Sequence, residues 1–394
     1  MHQRVMSRSE PRQMNFSANR GIRLIKGENA TIYDDCGRTY IDLASAHGVA
    51  AVGHAHPAVA RAVAFQSQHL LSCPGSFSND ARDRLISALS RVTPPALNRF
   101  FFCNSGTEAV EAALKLAAIS NGRSRFVAFK RSFHGRTIGA LGVTWPPGYR
   151  EPFHSLLPQV TFLPFNQVEG LIKAIDHTVA AVIVEGVQGE GGVYPARADF
   201  LCEIQSACNE SDACLILDEI QTGGGRTGKF WAHSHFGVTP DIICFAKALG
   251  GGFPFGGIAC GPRIMEKPGI HGSTFGGNPV ACAAAAAALS IIESQDLCVM
   301  AAEKGEIIIE QLQREPLPGV RDIRGLGCMV GIELEYAVTP LLKRLQARGV
   351  IALAAGPHVM RLLPPLTIPE EQLLRALDTL ITLLKNPHPK KPCS

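Results

Sequence analysis

The chain has no apolar stretch that is both long and apolar enough to span a bilayer; its best candidate, residues 281–292, is alanine-dominated and too short. The first 20 residues carry scattered cations but no apolar centre of the kind a secretory leader requires, so a cytoplasmic location and no membrane partner are expected. Twelve cysteines are spread through apolar segments without a CxxC pair, which argues against a metal or dithiol centre and for buried thiols in a reducing compartment. His54 and His56 have no acid or cysteine close in sequence, so they are not read as metal ligands. Acidic residues are missing from 112–150, where Lys115, Arg123, Arg125, Lys130, Arg131, Arg136 and Arg150 all fall. That run predicts a positive face or an anion pocket. No helix-turn-helix or aromatic-interleaved pattern accompanies it, so nucleic acid is not an expected partner.

What remains is the composition of an ordinary globular protein: 394 residues, 46% hydrophobic, 18% charged and a formal net charge of only +4. Such a length suits two intimately packed domains. From about 98 to 262, strand-length apolar runs alternate with helix-length amphipathic stretches, the rhythm of an α/β fold with a mostly parallel sheet flanked by helices. The expected strands are 99–103, 125–129, 160–163, 181–185, 214–218, 242–245 and 257–260. An alanine-rich helix over 279–294 leads to a smaller α+β part with strands at 324–334, 349–355 and 359–363. A capped helix start is expected at Thr367-Ile368-Pro369-Glu370, with helical apolar spacing from Leu373 to Leu384 and a frayed tail over 386–394. Residues 1–55, containing a hairpin over 30–42, should pack on that part. The expected division is therefore an N-terminal segment 1–55, a large domain 56–290 and a small domain 291–394.

Three places carry chemistry. Lys247 follows an apolar run and opens into Gly250-Gly251-Gly252, where a desolvated amine can become a nucleophile and form a Schiff base. Alone, such a lysine reads far more readily as a surface residue ending a strand. Upstream, the run Leu215-Ile216-Leu217 ends in Asp218, a carboxylate placed to hold the protonated ring nitrogen of pyridoxal phosphate. Asn104-Ser105-Gly106-Thr107-Glu108 stands between a strand and an Ala/Leu helix; it is a capping box, or, with free helix-start N–H groups, two hydroxyls and a glycine, a phosphate cradle. Together the three outline one cofactor site.

At this point the chain resembles the class III aminotransferases. The resemblance runs over roughly 25–385 through Ser105-Gly106-Thr107-Glu108-Ala109, Phe133-His134-Gly135-Arg136-Thr137, Glu185-Gly186-Val187-Gln188-Gly189-Glu190, Leu217-Asp218-Glu219-Ile220-Gln221-Thr222-Gly223 and Ser273-Thr274-Phe275-Gly276-Gly277-Asn278-Pro279. It implies a fold-type-I pyridoxal-phosphate enzyme, a homodimer with shared active sites. It further implies Lys247 as the Schiff-base lysine and Asp218 on the pyridinium nitrogen. Ser105, Gly106 and Thr107 would hold the phosphate, with Phe133 on the ring, Gln221 near its hydroxyl and Glu219 and Ile220 beside the cofactor. Thr274 would reach the neighbouring subunit's cofactor. For substrate the resemblance implies Arg136 on the α-carboxylate, Ser273 beside it, and Glu190 with Arg361 as a switch pair that opens for the distal carboxylate of glutamate.

Within the family the chain looks closest to the acetylornithine branch, and to the enzymes of lysine biosynthesis that act on an aminoadipate semialdehyde attached to the small acidic carrier LysW. The features are His47-Gly48-Val49-Ala50, the segment 143–153 and the segment 354–366. The expected reaction moves an amino group between glutamate/2-oxoglutarate and the terminal aldehyde or amine of an amino-blocked amino acid, carrier-linked lysine or ornithine, or free acetylornithine. An aminomutase, a decarboxylase and a noncatalytic cofactor-binding regulator are the competing readings. Gly186, Gly224 and Val110 depart from the family's usual residues and are expected to bear on selectivity.

Overall fold

The computed structural model describes Met14, Phe16 and residues 19–386. Residues 1–13, 15, 17 and 18, and the expected frayed tail beyond Asn386, lie outside the described residues.

Seven strands form the large sheet, in the order Arg99–Cys103, Gly256–Cys260, Ile242–Ala246, Cys214–Asp218, Val179–Glu185, Arg125–Phe129, Val160–Leu163. Only Gly256–Cys260 runs antiparallel to its neighbours. The central strands are buried along their whole length because both faces are covered, which is why they read as uninterrupted apolar runs. Alternation decides which layer each residue feeds. Cys214 and Ile216 pack under helix Gly106–Asn121, whereas Leu215 and Leu217 pack with Phe200 and Ile204 of helix Ala198–Ser211. Helices Asp80–Val92 and Pro279–Ser294 cover the other end of the sheet around Phe102, Ile243 and Phe245.

The C-terminal part is a second, four-stranded sheet, Val320–Leu326, Met329–Leu334, Val359–Leu362 and Leu353–Ala354, backed by Leu297–Gln313, Val338–Ala347 and Glu370–Lys385. The single strand expected over 324–334 is thus a hairpin, turned at Gly327-Cys328 with Gly327 at φ +52°. The strand expected over 349–355 is split: Val350–Ile351 pairs in parallel with Thr39–Asp42, and Leu353–Ala354 joins the other sheet. The hairpin Thr31–Asp34 with Thr39–Asp42 therefore sits against the C-terminal part. The expected side-chain cap at Thr367 does not form; Thr367 Oγ1 instead donates to Asn29 Oδ1 at 2.6 Å, and the helix begins after Pro369. Among the described residues no single helix is long and apolar enough to cross a membrane.

Candidate active site

The carboxyl ends of the parallel strands converge on one edge of the large sheet, where ligands of open α/β folds collect. A cavity of about 450 Å³ opens there, walled by Ser105, Gly106 and Thr107 from beyond one strand and by Phe133 and Arg136 from beyond another. Glu185 and Glu190, Asp218, Ile220 and Gln221, and Lys247 complete it. Residues 252–255, entering the antiparallel strand at the same edge, form part of its rim.

Helix Gly106–Asn121 points its start at the cavity. Ser105 is its N-cap and accepts from the Glu108 N–H, while the Ser105 carbonyl takes the Ala109 N–H. The Gly106 and Thr107 N–H groups are left to face the cavity, a ready anion site. The capping box is displaced by one residue: Glu108 Oε2 accepts from the Asn104 N–H at 2.6 Å and from Asn104 Nδ2, not from Ser105. A Cβ on Gly106 would lie 2.8 Å from the Ile220 side chain, so glycine lets the helix start come up against the wall. The Thr107 hydroxyl lies 2.8 Å from that of Thr137 and docks the 133–137 loop on the helix start. On that loop the exposed Arg136 guanidinium lies over the Phe133 ring, 5.3 Å from its centre, and 5.5 Å from the centre of the Tyr149 ring.

Asp218 and Glu185 end adjacent strands in register. Asp218 Oδ1 accepts from the Ile220 N–H, and Oδ2 lies 2.7 Å from Nδ1 of the buried His134. Glu185 accepts from the Phe133 N–H at 3.1 Å and the Gly189 N–H at 3.0 Å; burial pushes its carboxyl up to about 7, with His134 opposing the rise and Asp218 adding to it. Lys247 stands beyond the next strand in a left-handed conformation, φ +45°, unusual for a side chain of its size. Burial pulls its ammonium below the ordinary lysine value; Glu190 opposes that shift and Arg361 adds to it.

Arg361, on strand Val359–Leu362, is fully buried. Its Nη1 is 2.7 Å from Glu190 Oε1 and donates to Gln221 Oε1 at 3.0 Å, while Nε and Nη2 find no partner among the described residues. Burial alone would raise the Glu190 carboxyl; the Arg361 guanidinium overrides it and holds Glu190 below the usual range.

Four expected site residues do not line the cavity, and one of them, Arg361, meets it through Glu190 and Gln221. Glu219 does not line the cavity; its carboxylate accepts from the Ala232 and His233 N–H groups and the Thr222 hydroxyl, so it fixes the following loop. Ser273 meets the site only through Asn104, whose Nδ2 donates to Ser273 Oγ at 3.2 Å. Thr274 is exposed and does not line this chain's cavity. The acid-free stretch makes no single positive face, because its cations divide between the two ends of strand Arg125–Phe129. Arg123 and Arg125 bind Asp212 and Asp176 at one end, while Lys130, Arg131 and Arg136 follow the other. Gly186, Gly224 and Val110 are not among the cavity residues. His56 caps helix Pro57–Ser67, and His54 lies 2.7 Å from Asp42, so both serve the backbone frame. Missed from sequence were His134 and Glu185, both inside quoted motifs but given no task.

A flat ring carrying an anion and a basic ring nitrogen fits this donor set: a helix start for the anion, a buried carboxylate, a half-buried amine and an aromatic wall. The chain belongs to the class III aminotransferases, whose family model matches residues 15–384, and pyridoxal phosphate is their cofactor. It is 43% identical over 375 residues to a [LysW]-aminoadipate semialdehyde transaminase of Deinococcus radiodurans, covering 94% of this chain and 87% of that one. An acetylornithine aminotransferase of Methanopyrus kandleri is also 43% identical, over 94% of this chain and 96% of its own. Among solved structures, the ornithine aminotransferase of Toxoplasma gondii superposes with a TM-score of 0.89 at 30% identity, covering 94% of this chain and 91% of that one. The fold is that of the pyridoxal-phosphate aminotransferases, and the protein is an aminotransferase that works with glutamate and 2-oxoglutarate.

Proposed function

We propose that the protein transfers an amino group from glutamate to the terminal aldehyde of an amino-blocked amino acid, carrier-linked on a LysW-type protein, in lysine or arginine biosynthesis. The observation that carries this reading is the Arg361–Glu190 pair: a buried guanidinium with two unpartnered nitrogens, held by a carboxylate that can be exchanged for a substrate's. Such a pair suits two substrates, one with a distal carboxylate and one without, taken in turn. Arg136, exposed at the cavity mouth, grips the α-carboxylate of each, and Ser273 steadies Asn104 beside it.

In the same proposal the Ser105, Gly106 and Thr107 helix start would bind the cofactor phosphate, and Asp218, oriented by Ile220 N–H and His134, would keep a proton on the ring nitrogen. Bound there, pyridoxal phosphate supplies an electron sink for the substrate's amine carbon. Phe133, Ile220 and Gln221 line the cavity, where Phe133 would cover the ring and keep water from it and the other two would close its edge. The Lys247 amine, whose charged form burial disfavours, moves the proton at the substrate carbon. Glu219 supports this wall from behind. We also propose a homodimer in the cytoplasm, with domains divided near 55 and 290. Exposed Phe65, Leu71, Phe77 and Phe275 offer apolar surface to a second copy, to which Thr274 would contribute its hydroxyl, and the thiols of the described residues stand unpaired. Position 290 itself lies inside helix Pro279–Ser294, so the division there is one of packing and not of a linker.

A second reading, free acetylornithine, has support from the equally similar Methanopyrus relative and from the divided cations, since Arg123 and Arg125 pair with Asp212 and Asp176 at the far end of their strand and are not available to steer an acidic carrier. A side-by-side assay with 2-oxoglutarate as acceptor decides. Turnover of carrier-linked lysine at a kcat/KM above that of acetylornithine is expected; the reverse order assigns the free substrate, and no glutamate formed from either sinks the proposal.

A further inference from the structure

Glu185 is a buried acid of the cavity wall to which the proposed reaction gives no task. It ends the central strand Val179–Glu185 between two loops that are remote in sequence. One carboxylate oxygen accepts from the Phe133 N–H at 3.1 Å, at the head of the loop that carries Arg136. The other accepts from the Gly189 N–H at 3.0 Å, one residue before Glu190. Burying an acid without a basic partner in contact is costly, and here the two amide donors are what the carboxylate receives in return. The loops it joins hold the two ends of the substrate pocket: Arg136 at the mouth and Glu190 on Arg361 in the interior.

We propose that Glu185 is a positioning residue that ties the Phe133–Arg136 loop to the Gly189–Glu190 loop and so fixes the spacing between the two carboxylate-binding ends of the pocket. The proposal rests on the reading of Arg136 and Arg361 given above. Only a carboxylate can do this with both oxygens. Glutamine has the same shape but a single acceptor, and its NH₂ would face one of the two N–H donors, so one loop is released. Protonation acts in the same direction, because the acid group trades an acceptor for a donor. The groups facing Glu185 are Asp218 on the next strand, His134 on the first loop and Lys247 beyond the third strand. With the Glu185 carboxyl near 7, the tie is complete above neutrality and loosens as pH falls through it.

The test uses the holoenzyme and glutarate, a five-carbon dicarboxylate with no amine to react, together with amide hydrogen exchange. In Glu185→Gln the glutarate Kd and the KM for glutamate should both rise about tenfold, the loss of one charge-assisted hydrogen bond. The kcat should change less than about threefold. Exchange should quicken in the peptides containing Phe133 and Gly189. Between pH 8 and pH 6 the wild-type Kd should climb while that of Glu185→Gln stays level; Glu185→Asp, which keeps the charge but loses reach, should bind weakly yet retain the slope. Unchanged glutarate affinity with unchanged exchange at both loops overturns the tie, as does a loss confined to kcat. A wild-type holoenzyme that neither binds glutarate nor turns over glutamate instead removes the underlying reading of the pocket.

Discussion

Lys247 combines three physical properties that seldom coincide: a half-buried, desolvated amine, a left-handed backbone and carboxylates on both neighbouring sides of the cavity. Changing Lys247→Ala should lower transamination by roughly 10,000-fold, the upper range for removing a positioned proton-transfer group. The cofactor should then leave on dialysis, followed by its absorbance; retained turnover would rule out the assignment. Arg361 makes a different prediction. Arg361→Ala removes the partner of Glu190 and should cost about a hundredfold in kcat/KM for glutamate, the scale of truncating a buried charge pair, but far less for the amine lacking a distal carboxylate. Single-turnover rates of the two half-reactions measure this, and equal losses would count against a switch. Lys247 and Asp218 were legible from sequence because each ends an apolar run at a strand tip. His134 and Glu185 were not, because their tasks depend on strands distant in sequence becoming neighbours. Glu219 shows the same limit in reverse. It sits beside Asp218 in sequence, but successive residues of an extended chain point to opposite sides, and its carboxylate turns to the loop at Ala232 and His233.

The helix Gly106–Asn121 shows how an element makes a site from its unfinished end. Two hydrogen bonds to Ser105 satisfy Glu108 and Ala109, and what is left over faces the cavity. Gly106→Ala should force the new methyl onto Ile220, 2.8 Å away, or push the helix back. Overpacking of this kind costs about 1–3 kcal/mol, so cofactor affinity should fall by about tenfold or more. A fluorescence titration of the apoenzyme with pyridoxal phosphate checks it, and an undiminished affinity would show that the helix start does not bind the phosphate. Elements of the large sheet were readable to within a residue or two, since strands covered on both faces leave unbroken apolar runs. The small sheet was harder. Residues 320–334 reverse at Gly327 inside what reads as one strand, and Ile351 and Leu353 belong to different sheets although only Ala352 separates them. Neither event changes the local pattern of hydrophobicity, so periodicity alone cannot register it.

At the scale of the molecule, the position of Arg361 depends on three parts of the chain meeting where its strand ends. The N-terminal segment contributes backbone bonds from Leu363 N–H to the Leu43 carbonyl and from Leu366 N–H to the Ala51 carbonyl, and Ser45 Oγ donates to the Leu363 carbonyl at 2.6 Å. The large sheet contributes Arg226, fully buried in the glycine-rich loop after Asp218, whose Nη1 donates to the Cys328 and Pro364 carbonyls. No carboxylate pairs with Arg226 among the described residues, and burial brings its guanidinium down to about 10, still charged at neutral pH. A cation held by carbonyls alone is an expensive fastener, which makes its role measurable. Arg226→Ala leaves both carbonyls without a donor and opens a cavity, and should destabilise the holoenzyme by about 3 kcal/mol, seen as a lower urea midpoint. Because Pro364 lies two residues beyond the Arg361 strand, kcat/KM for glutamate should fall about tenfold as well. Arg226→Lys, able to reach one carbonyl, should recover part of both losses. If Arg226→Ala unfolds at the wild-type urea concentration, the junction is held by the N-terminal segment and by Lys304, whose Nζ donates to the Leu366 carbonyl, and Arg226 is a tolerated burden and not a clasp.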